Sequence, residues 1–208
     1  MIELFYGFDP REEVGAHTFV SSVLHNTKAV VRFTPLRGEQ KDGTNAFTYI
    51  RFEIPRLMGY RGFAIFADGA DMVCRGDIAE LWALRDPLCA AQVVKHDYKT
   101  KHPRKYVGTP MEAPNEDYPR KNWSSLMILN CGHYAWRHQD DRPHRLGFLG
   151  DRIGALPVEW NWLADEYGEN DSAKILHWTA GIPAWEHYAA APMSDEWVKA
   201  HAKVNHAA

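Results

Sequence analysis

The sequence predicts an α/β fold with a doubly wound, mostly parallel central sheet. Apolar segments typical of strands recur at residues 2–7, 29–36, 62–67 and 90–94, and helix start signals lie between them. Strands that alternate with helices in this way are typical of parallel sheets covered on both faces. No linker, repeat or low-complexity segment divides the 208 residues, so we expect one domain spanning 1–208.

The connections between these strands carry the helix signals. Residues 9–12 (DPRE) combine an N-cap aspartate, a proline at the first helical position and an acid at the third, and apolar residues follow at helical spacing. A second helix is predicted over about 46–58, disturbed at Pro55 and ended by Gly59. Asp77 is predicted to cap a third helix, because a glutamate follows it three residues later.

The pattern changes after residue 95. Residues 96–123 are rich in proline, lysine and arginine and have little apolar periodicity, which predicts a long functional loop. Residues 124–130 return to a strand pattern. The rest is predicted to be an irregular, aromatic-rich C-terminal part, because it holds six of the eight tryptophans.

Composition argues against several classes of protein. A net charge of −3 offers no basic surface for nucleic acid. No apolar segment approaches the roughly 18 residues of a membrane span. Met1 leads directly into a strand rather than a signal peptide, and the three cysteines have neither zinc nor disulfide spacing. We therefore expect a cytoplasmic protein with no membrane span and no nucleic-acid partner.

The segment 62–73 (GFAIFADGADMV) is an apolar strand that ends in two acids, Asp68 and Asp71. In open α/β sheets, ligands bind at the carboxyl ends of the strands. Two acids at a buried strand end are unfavourable unless a positive group meets them. The simplest such group is a hard divalent cation shared with a phosphate. The alternative is that one acid caps a following turn and the other is solvated.

Four segments in order resemble the GT-A-fold glycosyltransferases of family 8: DGADMVCRGDIAELW, WSSLMILNCGH, LPVEWNW and AKILHWTAGIPAW. The likeness covers most of the chain and is strongest to short bacterial and phage members that carry YPRKNWSS. It implies a GT-A-like nucleotide-diphospho-sugar transferase fold. It also implies transfer of a hexose from a UDP-sugar to an acceptor hydroxyl, typically with retention, and a Mn²⁺ (or Mg²⁺) cofactor on the diphosphate.

The resemblance also implies the metal ligands, which are Asp68, Asp71 and His177. Two carboxylates with a neutral imidazole suit Mn²⁺, whereas Mg²⁺ prefers oxygen ligands alone. The family has one residue between its two acids, and this chain has two, Gly69 and Ala70. Either the turn bulges, which Gly69 permits, or only Asp71 binds the metal directly.

Further residues are expected around the donor because they match family positions. They are Tyr6, Gly7, Phe8 and Asp9 beside the base and ribose, Arg51 facing the nucleotide pocket, Asn130 at a strand end near the donor sugar, and Trp160 and Asn161 on the sugar and acceptor side. Three of them have structural alternatives. Asp9 also suits a helix cap, Arg51 a solvated helix position, and Trp160 the core.

The diphosphate-binding motif departs from the family pattern. Family members carry a glycine and then a lysine after the histidine. Here Gly181 is shifted by one position and Pro183 stands in the place of the lysine. We expect Arg120 or Lys121, in the long loop, to supply the missing positive charge. The family's acid-glutamine pair is not evident, and Asp151 is the candidate polar group in its region.

The predicted function is a metal-dependent glycosyltransferase. Its partners would be a nucleotide-sugar donor and a glycan, protein or small-molecule acceptor. One alternative is a catalytically degenerate protein that binds nucleotide-sugar. The other is a metal-dependent phosphohydrolase or nucleotidyltransferase, which would need a third carboxylate or a nucleophile near the acids.

Overall fold

The computed structural model of the protein describes residues 1–39, 45–138 and 143–204. The strands in these ranges are β1 (Ile2–Gly7), β2 (Val31–Leu36), β3 (Phe63–Ala67), β4 (Met72–Cys74), β5 (Ala91–Val93), β6 (Arg104–Lys105), β7 (Ala113–Pro114), β8 (Leu126–Asn130), β9 (Ile153–Ala155), β10 (Trp162–Leu163) and β11 (Ile175–His177). The α-helices are α1 (Glu13–Asn26), α2 (Ile54–Leu57), α3 (Ile78–Ala83), α4 (Ala164–Tyr167) and α5 (Ser194–Ala202). Within the described residues, no helix has both the length and the apolar character that crossing a membrane requires.

The central sheet has six strands in the order β2-β1-β3-β8-β5-β9. β1 pairs in parallel with β2 and β3, and β5 pairs in parallel with β9. β8 is antiparallel to both of its neighbours, β3 and β5. Every strand except β8 therefore points the same way, and the predicted α/β fold with a mostly parallel central sheet is confirmed.

Two smaller sheets complete the chain. β4 follows the turn formed by residues 68–71, which carries Asp68 and Asp71 and is called the acid turn below. β4 pairs antiparallel with β11, which also pairs in parallel with β10. β6 and β7 form a short antiparallel hairpin in which Lys105 lies opposite Ala113. This hairpin lies within residues 96–123, where a loop was predicted from the sequence.

Both faces of the central sheet are buried, as a doubly wound sheet requires. In β3, Ala64 and Phe66 join one hydrophobic cluster, whereas Ile65 and Ala67 join the other. Successive strand residues point to opposite faces, so an uninterrupted apolar run is what a strand covered on both sides needs. α1 and α3 pack on the second cluster through Phe19 and other apolar residues.

Two predicted elements differ in length. The helix expected over 46–58 is a 3₁₀ turn, Ile50–Glu53, followed by the single α-turn of α2. Pro55 lies in the first turn of α2, where its missing N–H is tolerated, and Gly59 follows with a positive φ of 61°. The strand predicted over 124–130 begins at Leu126, because residues 123–125 form a 3₁₀ turn.

Helix α1 crosses the acid turn at a close approach. A Cβ atom built on Gly15 would overlap the carbonyl oxygen of Ala70, which lies between the two acids of the turn. Only glycine therefore allows the helix backbone to rest on this turn.

We predict that Gly15→Ala destabilises the protein by about 2–3 kcal/mol, the usual range for overpacking a rigid contact, although alanine is the better helix former. Gly132→Ala is the matched control, because a Cβ there would meet its nearest atoms at an ordinary 3.6 Å. Urea unfolding of both variants tests this. Equal midpoints would contradict the close contact.

Candidate functional site

The candidate site lies at the edge of the sheet where the parallel strands end. Tyr6 of β1 pairs with Ala67 of β3, so Gly7 and Asp68 leave the sheet side by side. β8 runs the other way, and its amino end brings Ser125 to the same edge, where the Ser125 carbonyl accepts a hydrogen bond from the Asp68 amide at 2.8 Å.

The acid turn has one residue more between its two acids than the family motif, and the backbone conformation of Gly69 accommodates it. Gly69 has a φ of 77°, and hydrogen bonds run from the Ala70 amide to the Asp68 carbonyl (2.9 Å) and from the Met72 amide to the Gly69 carbonyl (3.0 Å). Asp68 and Asp71 each present a carboxylate oxygen to the same point, and these atoms lie within 4.8 Å of each other and of a His177 ring nitrogen. The bulged turn is the first of the two alternatives derived from the sequence.

The pairing of β11 with β4 brings His177 to the acids. His177 lies opposite Met72, and the Trp178 amide donates to the Asp71 carbonyl at 2.9 Å. The His177 Nε2 atom is 3.3 Å from Asp71 Oδ2. The contact between His177 and Asp71, which are far apart in sequence, therefore depends on the pairing of the two short strands β4 and β11.

A hydrogen-bonded chain fixes the orientation of the His177 ring. The Ser125 hydroxyl donates to the Asn122 carbonyl (2.8 Å), and the fully buried Asn161 donates through Nδ2 to Ser125 Oγ (2.9 Å). Asn161 Oδ1 is then the acceptor for His177 Nδ1, at 2.9 Å. Nδ1 thus carries the proton of the neutral ring, and the Nε2 lone pair is directed at the acids.

Arg51 is the positive partner of Asp68. Its Nη1 atom donates to Asp68 Oδ1 at 2.5 Å and to the Ser124 carbonyl at 3.0 Å. The guanidinium lies between the rings of Phe47 and Phe66, 5.3 and 4.8 Å from their centroids. Arg51 is thus a buried member of the site, and the alternative of a solvated helix charge is wrong.

The pKa values of Asp68 and His177 are both raised at this site. Burial raises the pKa of Asp68 to about 6 although Arg51 opposes it, and Asp71 adds to the increase. Burial lowers the pKa of His177, but the attraction of Asp71 and the other acids outweighs it, and the net shift is upward. Burial is the main cause of the upward shift in Asp68, and the negative charge of the acids is the cause of the upward shift in His177.

A third carboxylate, Glu12, lies behind the first two. It is completely buried, and burial followed by repulsion from Asp71 raises its pKa well above the usual range. Its Oε2 atom accepts a hydrogen bond from Asn45 at 2.9 Å, and Oε1 has no partner among the described residues. Glu12 does not line the cavity that holds Asp68 and Asp71, and the sequence predicted it only as part of a helix start, so its charge coupling to these acids was missed.

The donor set of the site fits a divalent cation. Asp71 Oδ1 is buried with no hydrogen-bond partner among the described residues, and Asp71 Oδ2 faces an imidazole nitrogen that can be neutral. Carboxylate oxygens with an oriented imidazole suit Mn²⁺ and similar ions. Asp68, Asp71 and His177 could therefore hold a metal ion.

Asp68, Asp71 and His177 line a cavity of about 250 Å³. Asn45, Phe47, Thr48 and Tyr49 form one wall. Gly7 makes room for this wall, because a Cβ there would lie 2.5 Å from the Phe47 ring and 2.7 Å from the Asp68 carbonyl.

The helix cap that was the alternative for Asp9 is present in the structure. Asp9 is buried and caps the turn before α1, accepting from the Arg11 amide at 3.0 Å and from the Ala46 amide at 3.1 Å. Burial raises the pKa of Asp9, but hydrogen bonds and the charge of Arg11 lower it to about 2. Tyr6 and Phe8 are partly buried beside it.

The structure corrects the placement expected for Asn130 and Asp151. Asn130 lies opposite Phe63, at the beginning of β3 and not at its carboxyl end, because β8 is antiparallel. Its side chain donates to the Pro87 carbonyl. Asp151 is exposed and precedes β9, which runs parallel to β5, so it lies at the same distant edge.

The two loop cations have other partners. Arg120 donates to the carbonyls of Arg145 and Leu146 and does not line the cavity. Lys121 Nζ donates to Asn115 Oδ1 at 2.8 Å and lines a neighbouring cavity instead. Neither cation lines the cavity that holds Asp68, Asp71 and His177, where the missing positive charge was expected.

Two further expected residues lie in the packed interior. Trp160 is 2% exposed and belongs to a hydrophobic cluster, so its core alternative is confirmed. Gly181 is buried where a Cβ would overlap the ring of Tyr188, and it does not line the cavity.

Solved structures with this architecture include GT-A-type glycosyltransferases. The WbbM bifunctional glycosyltransferase matches 97% of this chain with a TM-score of 0.69 at 14% identity. GlyE of Streptococcus pneumoniae matches 99% with a TM-score of 0.68 at 10% identity, and the galactosyltransferase LgtC matches 97% with 0.64 at 10%. The chain spans 49% of WbbM, 63% of GlyE and 96% of LgtC. These likenesses show the fold.

In sequence, this chain is more similar to a plant protein than to these three structures. Protein CDI of Arabidopsis thaliana is 30% identical over 224 residues, which cover 94% of this chain and 84% of the plant protein. The chain therefore belongs to the same family as Protein CDI. No protein-family model matches the sequence.

We predict that the affinity of the site for Mn²⁺ falls as the pH drops through about 6, where Asp68 takes up a proton. A bound cation must displace that proton, and it also requires neutral His177. Calorimetric titration should show at least about tenfold weaker binding at pH 5 than at pH 7, because Asp68 alone accounts for about tenfold one pH unit below its pKa and protonation of His177, whose pKa is raised, adds to the loss. A constant affinity over this range would exclude Asp68 as a ligand.

Proposed function

We propose that this protein is a metal-dependent glycosyltransferase that moves a hexose from a nucleotide-diphosphate sugar, a UDP-sugar, to an acceptor hydroxyl with retention. The observation that carries the proposal is the group of Asp68, Asp71 and His177 on one cavity wall, at the carboxyl edge of a GT-A-type sheet. The sequence likeness to family 8 supports the same reaction.

Mn²⁺ is the metal proposed for Asp71, His177 and Asp68, with Mg²⁺ as the alternative. When bound, it would supply Lewis-acid stabilisation to the charge that builds on the leaving diphosphate. The protein's own part is to hold these ligands in place. Asn161 keeps the Nε2 lone pair of His177 directed inward, and Arg51 balances the charge of Asp68.

The cavity also suits the nucleoside part of a donor. The wall formed by residues 45–49 combines the aromatic rings of Phe47 and Tyr49 with the polar side chains of Asn45 and Thr48. Such a wall can stack on a base and donate hydrogen bonds to a ribose. We assign the acceptor only by class, as a glycan, a protein or a small molecule with a free hydroxyl.

The proposal predicts release of UDP from UDP-hexoses in the presence of Mn²⁺, together with transfer or slow hydrolysis of the sugar. Asp71→Asn should lower this rate by at least about 100-fold, comparable to the loss of one key electrostatic group in an active site. Asp77→Asn is the matched control. Asp77 caps α3 by accepting from the Ala79 amide at 2.9 Å, and asparagine caps helices about as well as aspartate, so this variant should keep both its stability and its turnover.

The products distinguish the alternatives. Binding of UDP-sugar without release of UDP would indicate a degenerate binding protein, and release of phosphate or UMP would indicate a phosphohydrolase. Equal turnover in the two aspartate variants would contradict the assignment of Asp71 to the metal.

A further inference from the structure

One cation in the cavity has no partner that neutralises it. Lys105 lines the cavity together with Asp68, Asp71 and His177. Its Nζ atom makes no hydrogen bond or ion pair with another described residue. It lies over the Tyr106 ring, 5.1 Å from the ring centroid. By contrast, Arg51 is paired with Asp68.

The hairpin that carries Lys105 is held firmly against the site. The Tyr106 amide donates to the Ala180 carbonyl at 2.7 Å, three residues after His177, and the Val107 amide donates to the Tyr188 hydroxyl at 2.8 Å. The Tyr106 ring is buried edge-on to Trp185, with centroids 5.8 Å apart. These contacts fix the backbone on the C-terminal side of Lys105 while its side chain stays uncommitted.

Tyr106 has the left-handed φ of 58°, which is unfavourable for a bulky residue. Its hydroxyl accepts a hydrogen bond from Asn45, which also donates to Glu12. The backbone conformation next to Lys105 is therefore maintained by partners on both sides of the cavity.

Burial and the neighbouring charges act on the pKa of Lys105 in opposite directions. Burial lowers its pKa, whereas Asp71, Glu12 and Asp68 raise it, and the net shift is downward. In a partly dry cavity, a cation with no ion-pair partner is positioned for an anionic ligand. Lys105 also lines a second cavity of about 280 Å³ with Tyr118, Asn122 and Thr179, so it lies on the wall between the two spaces.

The geometry points to Lys105 as the side chain that contacts the diphosphate of the donor and of the released nucleotide. This inference rests on the proposed function and deepens it. A metal ion balanced by two carboxylates leaves much of the diphosphate charge unmatched, and Lys105 is the uncommitted cation that can meet it within the described part of the site. The sequence analysis assigned this role to Arg120 or Lys121.

Titration of UDP and of uridine at saturating Mn²⁺ tests the inference. Lys105→Gln should weaken UDP binding by roughly tenfold, in line with the loss of one charge-assisted hydrogen bond, and leave uridine binding unchanged. Lys105→Arg should retain most of the UDP affinity. Arg104→Gln is the matched control, because it removes the same charge from the adjacent residue, which is 52% exposed and paired with Glu112.

The outcomes separate this inference from the proposed function. If the wild-type protein binds no UDP with Mn²⁺, both fail. If it binds UDP and Lys105→Gln binds within twofold of it, the Lys105 inference alone is overturned. An equal loss in Arg104→Gln would indicate a general charge effect and also overturn it. Lys105→Met provides a second neutral variant, and retained Mn²⁺ binding together with an unchanged circular dichroism spectrum establishes that each variant is folded.

Discussion

Three buried or partly buried carboxylates, Glu12, Asp68 and Asp71, lie together at one edge of the sheet, and the rest of the site compensates for them. Like charges in a dry interior repel strongly and raise one another's pKa. Arg51 offsets part of this charge in the protein itself, and His177 does so when it is protonated. The remaining negative charge favours a cation at this place, because coordination of a divalent ion would offset the repulsion between Asp68 and Asp71.

Strand direction and close backbone approaches produce this arrangement. β1 and β3 end at the edge, β8 begins there, and β11 returns beside β4 to bring His177 to Asp71. Gly15 allows α1 to rest on the turn, and Gly7 allows Phe47 to close the cavity wall. Residues far from the chemistry therefore determine the distances between the groups that carry it.

The sequence predicted the local parts of this structure well. The apolar run before Asp68, the caps at Asp9 and Asp77 and the mostly parallel sheet follow from periodicity and short-range hydrogen bonding, which are encoded within a few residues. Asn130 was misplaced because an apolar run does not reveal strand direction, and the reversal of β8 moved it to the other end of β3. Glu12 and Lys105 were missed because their roles depend on tertiary contacts. A lysine in a polar segment and a glutamate at a helix start carry no local signal for such a role.

The most direct test of this account is calorimetric titration of UDP into the wild-type protein, once with saturating Mn²⁺ and once with EDTA. If the clustered carboxylates hold a metal that bridges to the diphosphate, Mn²⁺ must tighten UDP binding, and UDP must tighten Mn²⁺ binding by the same factor. The account predicts a factor of at least about ten, within the usual range of coupling between two ligands. Equal UDP affinity with Mn²⁺ and with EDTA would contradict it.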